Sequence, residues 1–237
     1  QDKDTYLQSV DGFPALLSDP WLNARLTTLH ACSDILASGA KVLSAQAIIA
    51  LPQVSFLIQE ELLTQSLLGI KSALEEQGAK LIGGHSLETR GATDDQIGLG
   101  LNISLNVNGL LPNGFKMWPL SGLQTGDILL ISRGIGSGVI FAASMAGKVN
   151  PNDLDKVISI LNESQHHLLE ELRRIEKKYP DKGSINACTD ITGFGLLGHL
   201  IQMLKTTNNM RSKLDLLPLR IELDADSIPS LNGALNL

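Results

Sequence analysis

The chain has 237 residues, 43% of them hydrophobic, with 22 Gly and 9 Pro, which is typical of a globular α/β protein with one large or two modest domains. Its net charge of −6 leaves no basic patch for nucleic acid or an anionic membrane, and no apolar run reaches the roughly 18 residues of a membrane span. The start carries no secretory signal, and two cysteines are too few for a disulfide framework, so we expect a reduced, cytoplasmic setting.

The first half of the chain alternates apolar runs, which predict strands, with segments of helical period, which predict helices. The predicted helices are residues 20–38, capped by Asp19 with Pro20 in the first turn, and residues 56–77. The predicted strands are residues 5–10, which deliver Asp11, then 42–51, 79–82 and 97–107, with a polar loop at 89–96 before the last.

Gly83, Gly84, His85 and Ser86 follow the third predicted strand. Two glycines before a hydroxyl allow the backbone to approach a ligand closely. The alternative is a plain turn with a surface histidine, and the four residues taken alone favour that alternative.

The second half begins after a segment rich in Gly, Pro and Asn, residues 112–125, which predicts a boundary between domains at 1–112 and 122–237. Beyond it we predict strands at residues 128–132 and 217–223, and a long helix at 152–178 on whose solvated face His166 and His167 lie. The glycine-rich loop at 133–138 leads into a helix through Met145 but lacks the Gly-Lys-Ser/Thr ending of a P-loop, so close packing of a helix against a strand is its predicted role.

Residues 187–200 combine an acid, a glycine turn and a helix start. A short apolar run ends in Asp190, Gly193-Phe194-Gly195 follows, and leucines at helical spacing come next. A carboxylate supplies the hard oxygen that Mg²⁺ prefers, and the first N–H groups of a helix face an anion. The alternative is a tight turn in which Asp190 is only a cap.

Asp34 lies in an apolar part of the first predicted helix, where an unpaired carboxylate is costly. The alternatives are an ion pair with His30 one turn earlier, or simple exposure. If Asp11, Asp34 and Asp190 converge, their mutual repulsion raises their pKa values unless a cation such as Mg²⁺ with bound phosphate lies between them. Sequence spacing leaves the convergence open.

Four stretches resemble the selenophosphate synthetase (selenide, water dikinase) family, in the superfamily that includes aminoimidazole ribonucleotide synthetase. They are residues 9–13 with Asp19-Pro20, residues 33–35 with Ala37 and Gly39, residues 83–86, and residues 189–200, which read Thr-Asp-Ile-Thr-Gly-Phe-Gly-Leu-Leu-Gly-His-Leu. Gly126-Asp127 and the 133–138 loop also fit. The likeness spans nearly the whole chain in the expected order.

The resemblance implies a mixed α/β fold of the α+β type in two domains. The first has a mostly antiparallel sheet backed by helices, and the second is an α/β layer. It further implies that Asp34 and Asp190 ligate Mg²⁺, that Asp11 and Asp34 help to hold ATP, and that Gly84, His85 and Ser86 line a nucleotide site built across a homodimer. The implied reaction converts ATP, selenide and water into selenophosphate, AMP and phosphate.

The chain also departs from the family. The family's reactive Cys or selenocysteine, a Lys and another Asp would lie before Gln1, and its second half continues beyond Leu237, so we expect these residues alone to be inactive. The loop near Glu88 is longer than usual, and residues 133–136 replace the usual Lys-Pro-Leu-Gly. The stretch around Asp11 is similar to the version fused behind a flavin-dependent oxidoreductase.

The sequence is also compatible with two functions other than that of a selenide, water dikinase. One is a sister kinase or synthetase of the same superfamily that uses a different nucleophile. The other is a non-catalytic module for nucleotide binding or dimerisation, which the altered loops would suit.

Overall fold

The computed structural model describes residues 4–89, 100–180 and 185–237. The chain divides into two compact units. The first unit comprises Gln1–Lys116 with Ile160–Glu171, and the second comprises Met117–Ser159 with Leu172–Leu237.

The first unit contains a four-stranded sheet. Its strands are β1 (Thr5–Pro14), β2 (Lys41–Leu51), β3 (Lys80–Glu88) and β4 (Asn102–Leu111), in the spatial order β1-β4-β2-β3. β4 runs antiparallel to both β1 and β2, whereas β2 and β3 are parallel. The sheet is therefore mostly antiparallel, as the family resemblance implied for the first domain, and β1 and β3 form its two edges.

Three helices of the first unit complete its core: α1 (Pro20–Ala31), α2 (Ser33–Ala37) and α3 (Phe56–Glu76). The alternating residues of β2 and β4 bury one face of the sheet against them, because successive side chains of a strand point to opposite faces. The largest fully buried side chains of this core include Ile35, Ile49, Ile70, Leu74, Leu101, Ile103, Leu105 and Val107.

The predicted helix at residues 20–38 starts as expected but divides in two. Asp19 accepts a hydrogen bond from the Leu22 N–H at 2.8 Å, and Pro20 is the first helical residue, which confirms the predicted cap. The break lies at Cys32. The hydroxyls of Thr27 and Thr28 donate to carbonyls one turn earlier, a contact that tends to bend helices.

Gly83, Gly84, His85 and Ser86 do not form a turn, and the prediction that a strand ends before them was wrong. β3 continues through them, with Gly84 opposite Ala47 in the parallel ladder with β2. Gly84 has φ +156, and a Cβ placed there would lie 2.0 Å from the Ala47 carbonyl oxygen. The glycine is needed because the neighbouring strand approaches too closely for a side chain.

β4 begins later than the sequence predicted, at Asn102 rather than Ile97, and extends to Leu111. The first three residues of the predicted strand, 97–99, and most of the predicted loop, 90–96, lie outside the described residues.

The second unit is mainly helical in its described part, with α4 (Ser137–Met145), α5 (Pro151–Leu161), α6 (His166–Lys178) and α7 (Gly195–Ser212), of which α5 and α6 cross into the first unit. Two short 3₁₀ helices, Ala225–Ser227 and Ala234–Asn236, follow. None of the helices in the described ranges combines the length and apolar character needed to cross a membrane.

The single helix predicted at residues 152–178 is wrong, because α5 and α6 are separate. The Ser164 hydroxyl accepts from the His166 N–H at 3.4 Å and so caps the start of α6. Within the first unit, Arg25 donates to both the side-chain oxygen and the carbonyl of Asn162. Asn162 and Ser164, which lie between the two helices, thus bond to a distant arginine and to the start of α6.

The strands predicted at residues 128–132 and 217–223 pair with no other strand in the described part of the chain. Around Leu219 a side chain takes the place of a strand partner. The Asn208 amide donates to the Leu219 carbonyl at 3.1 Å and accepts from its N–H at 2.8 Å. The prediction of a strand there was wrong, because apolar alternation along one segment does not supply the neighbouring strand that a ladder requires.

The glycine-rich loop at residues 133–138 packs closely, but against residues 230–234 rather than in the predicted contact of a helix with a strand. A Cβ on Gly134 would lie 2.8 Å from the Ser230 carbonyl carbon, and a Cβ on Gly136 would lie 2.6 Å from the Ala234 Cβ. The Ile135 carbonyl also accepts from the Leu231 N–H at 2.9 Å.

We predict that Gly84→Ala destabilises the protein whereas Gly83→Ala does not. The added methyl at residue 84 collides with backbone, and overpacking of this kind costs about 1–3 kcal/mol. A Cβ on Gly83 meets nothing within 4 Å, so its free energy of unfolding should change by less than about 0.5 kcal/mol. Urea denaturation measures both, and equal effects of the two substitutions would contradict the packing argument.

Candidate functional site

β1 places two polar side chains on the side of the sheet that faces the helices. Leu7, Ser9, Asp11 and Phe13 are half-buried at alternate positions, whereas Tyr6 and Val10 are exposed. Leu7 packs against the hydrophobic core, so the same alternation turns Ser9 and Asp11 toward α1 and α2.

Asp11 is held by one donor on each carboxylate oxygen. Oδ1 accepts from the Gly12 N–H at 2.6 Å, and Oδ2 lies 3.0 Å from Nε2 of His30 on α1. Because a carboxylate oxygen only accepts, Nε2 carries the hydrogen of this contact. The His30 ring also lies edge-on to Phe13, with 5.1 Å between the ring centroids.

Asp34 lies in the first turn of α2 and contacts β1. The Ser9 hydroxyl donates to Asp34 Oδ2 at 2.5 Å. The histidine that the sequence offered as a partner of Asp34, His30, forms its ion pair with Asp11.

The structure therefore brings Asp11 and Asp34 to one region of the first unit. Ser9 and Asp11 are two residues apart on one side of β1, and His30 and Asp34 lie one helical turn apart across the α1–α2 junction. Ser9 and His30, which the sequence analysis did not assign to the site, complete the contacts. The i, i+4 spacing of His30 and Asp34 was the signal available in the sequence, but it suggested the wrong pair.

Gly84, His85 and Ser86 lie on the opposite edge of the same sheet. β1 and β3 are separated by β4 and β2, which at about 4.8 Å per strand puts them roughly 14 Å apart. The side chains of His85 and Ser86 are exposed on the edge strand. Within one chain, Gly84, His85 and Ser86 therefore do not lie close to Asp11. That they line a nucleotide site formed by two chains stays a prediction.

Asp190 belongs to the second unit, where the segment before it is tied to the linker after β4. The Cys188 N–H donates to the Pro119 carbonyl at 2.9 Å, and a Cβ on Gly122 would lie 2.4 Å from the Asn186 carbonyl oxygen. The Gly122 N–H in turn donates to Thr207 Oγ1 on α7 at 3.1 Å.

A buried aromatic and charged cluster supports this linker within the second unit. Trp118 donates through Nε1 to Glu176 at 2.9 Å, and Arg173 lies over the Trp118 ring at 4.3 Å while donating to Glu176. Burial lowers the pKa of Arg173, and the bond to Glu176 opposes that shift.

His199 fixes the turn that follows Asp190. Its side chain is buried in α7, and Nε2 accepts from the Thr192 N–H at 3.1 Å. Gly195, at φ +65, then allows the chain to enter α7. The sequence singled out residues 189–200 as a unit, and the structure gives His199 a specific role within it.

Neither cysteine in the chain is a ready nucleophile. Burial raises the pKa of Cys32 to about 12. Burial, followed by the charge of Asp190, raises the pKa of Cys188 to about 11. Because the thiolate is the reactive form, both side chains are thiols near neutral pH.

A common metal site for Asp34 and Asp190 stays a prediction, since the two acids belong to different compact units. Over the ranges 4–89, 100–180 and 185–237, no group of three or more His, Cys, Asp or Glu side chains is placed to hold a metal. The donors around Asp11 and Asp34 do fit Mg²⁺ chemically, because Mg²⁺ is commonly bound by one or two carboxylates with phosphate oxygens and water.

Two models of one protein family match this chain: AIR synthase related protein, N-terminal domain, over residues 1–109, and AIR synthase related protein, C-terminal domain, over residues 124–231. The chain belongs to the AIR synthase related proteins. The two-domain fold class predicted from the sequence is thereby confirmed.

Among curated relatives, the chain is 28% identical over 236 residues to the selenide, water dikinase of Clostridioides difficile strain 630, covering 100% of this chain and 59% of the relative. The chain thus spans about three fifths of that relative's length. The resemblance to this family is confirmed.

Solved structures show the same fold at lower identity. The thiamine-monophosphate kinase of Stenotrophomonas maltophilia K279a matches with a TM-score of 0.73 at 19% identity, over 98% of this chain and 66% of that one. The hydrogenase maturation protein HypE in complex with ATP matches with a TM-score of 0.66 at 19% identity, over 92% of this chain and 66% of that one.

We predict that His199→Leu destabilises the protein by about 1–3 kcal/mol, because the Thr192 N–H loses its acceptor in a partly buried turn. His199→Gln, which retains an acceptor near the position of Nε2, should recover part of the loss. Thermal unfolding of the two variants beside the unchanged protein measures this. Equal destabilisation by Leu and Gln would show that ring packing, rather than the acceptor, holds the turn.

We predict that both thiols resist alkylation in the folded protein at pH 8. A pKa of about 11 for Cys188 and about 12 for Cys32 lowers the thiolate fraction roughly 100-fold and 1000-fold against the ordinary thiol. The iodoacetamide rate should rise only as the pH exceeds about 10, while urea-unfolded protein reacts at the ordinary rate. Rapid labelling of Cys188 at pH 8 would contradict the buried position.

Proposed function

We propose that this chain is part of an ATP-dependent enzyme that forms selenophosphate from selenide and water and releases AMP and phosphate. The observation that carries the proposal is that two carboxylates, Asp11 and Asp34, are each bound by a partner at the contact of β1 with α1 and α2. The similarity to a selenide, water dikinase supports the reaction. The fold shared with HypE, which was solved in complex with ATP, supports the nucleotide.

In the proposed site, Asp11 and Asp34 would hold the nucleotide through its metal-bound phosphates, and the predicted Mg²⁺ ligands would be Asp34 and Asp190. When bound, Mg²⁺ neutralises the charge that develops on the transferred phosphoryl group. The protein's own part is positioning. Gly12 and His30 orient the Asp11 carboxylate, Ser9 orients Asp34, and His199 fixes the backbone just beyond Asp190.

We further propose that Gly84, His85 and Ser86 reach the nucleotide from a second copy of the chain. The support is the position of β3 at the edge of the sheet opposite β1. The face of the sheet away from the helices also exposes Val10 at 74% and Ile48 at 52%, which is apolar surface that a homodimer would bury.

A sister kinase of the same family is the second candidate function. The thiamine-monophosphate kinase favours it, since that protein matches 98% of this chain by fold. The two reactions share a held nucleotide and differ in the acceptor. A selenide-dependent formation of AMP would decide for the dikinase, and transfer of a phosphoryl group to a carbonyl oxygen or another phosphate, with release of ADP, would decide for the kinase.

We predict that Asp34→Asn weakens binding of a non-hydrolysable ATP analogue with Mg²⁺ by about tenfold or more, because an amide is a poorer ligand than a carboxylate for a hard cation. Asp11→Asn should act in the same direction. Asp155→Asn on the exposed surface of α5 is the matched control and should bind as the unchanged protein does. Isothermal titration calorimetry measures the affinities, and equal binding by all three variants would refute the proposed site.

A further inference from the structure

The two candidate acids of the first unit, Asp11 and Asp34, are bound by partners that cross between the strand and the helices. Ser9 on β1 donates to Asp34 on α2, and His30 on α1 contacts Asp11 on β1. We propose that Ser9 and His30 are positioning residues that together set Asp11 and Asp34 as one oxygen-rich site for a divalent cation bound to nucleotide. This inference rests on the proposed function.

The contacts on Asp11 define the orientation of its carboxylate. The Gly12 N–H binds one oxygen at 2.6 Å, and His30 Nε2 approaches the other at 3.0 Å. Each oxygen has acceptor capacity left for a cation. Phe13 lies edge-on to the His30 ring, so the histidine is itself restrained. Partners of this kind, which bind a ligand rather than the metal, govern how well a metal is held.

The contact on Asp34 depends on the same placement of β1. Ser9 and Asp11 are two residues apart and therefore share one side of the strand. His30 and Asp34 are four residues apart on the two short helices joined at Cys32. A one-residue shift of β1 would turn both Ser9 and Asp11 away from the helices, so both contacts depend on the register of this strand.

The contacts are better explained by positioning than by stability. The side chains of His30 and Asp11 are each 31% exposed, and a partly solvated pair of this kind adds little to folding. The hydrophobic core beneath them, which includes Leu105 and Val107, already joins the sheet to the helices. What the pair alone supplies is a defined direction for the carboxylate.

The test is a double-mutant cycle on binding of Mg²⁺ with a non-hydrolysable ATP analogue, measured by calorimetry. His30→Phe keeps a ring against Phe13 but has no donor, and we expect an affinity about 10–100-fold lower. His30→Gln places a donor near the position of Nε2 and should bind close to the unchanged protein. In an Asp11→Asn background, His30→Phe should cause no further loss.

The second arm of the test applies the same logic to Ser9. Ser9→Ala should weaken binding in the unchanged protein and have no further effect in an Asp34→Asn background. Ser159→Ala and His167→Phe, both at exposed positions on α5 and α6, are the matched controls and should leave affinity unchanged. Circular dichroism and thermal unfolding identify any variant that does not fold. If the variants of one residue, His30 or Ser9, do not fold, the affinities measured for the variants of the other residue test the proposal.

The outcomes separate this inference from the proposed function. If the unchanged protein does not bind the nucleotide with Mg²⁺, both fail. If the Asp11 and Asp34 variants lose affinity but His30→Phe and Ser9→Ala do not, only the positioning role is overturned. A loss of the same size in both backgrounds would mean that His30 or Ser9 acts through general packing, which also overturns it.

Discussion

The contact between β1 and the junction of α1 with α2 is the interaction on which the candidate site depends. Two carboxylates drawn to one half-buried region repel each other unless donors or a cation compensate. Here the compensation crosses between the elements, from Ser9 to Asp34 and from His30 to Asp11. The geometry of both acids is therefore set by how one strand lies against two short helices, rather than by either element alone.

In the second unit, the backbone on either side of Asp190 is held by hydrogen bonds. The segment that leads to Asp190 is held by backbone bonds to the linker, and the turn beyond it is held by the buried His199. Each acid thus sits in a segment whose backbone is fixed by contacts within its own compact unit. Preorganisation of this kind lets a charged ligand bind without first ordering the residues that receive it.

Local pattern predicted the elements that depend on local forces. The start of α1 at Pro20 follows from its cap, and the core strand β2 follows from its apolar residues. Two of the errors share one cause, because each depended on a neighbouring segment. Gly84 lies within β3 because β2 approaches it closely, and residues 217–223 form no ladder because Asn208 rather than a strand binds their backbone.

The sequence by itself identified the family and the candidate acids, because caps, periodicity and motifs act over a few residues, although Asp11 lies within β1 rather than at the predicted end of a strand. Only the tertiary structure decided the partners of those acids. Ser9 meets Asp34 across 25 positions, and the nearer candidate, His30, turns to Asp11 instead. Such contacts follow from how elements pack against one another, and the spacing of residues along the chain does not encode that packing.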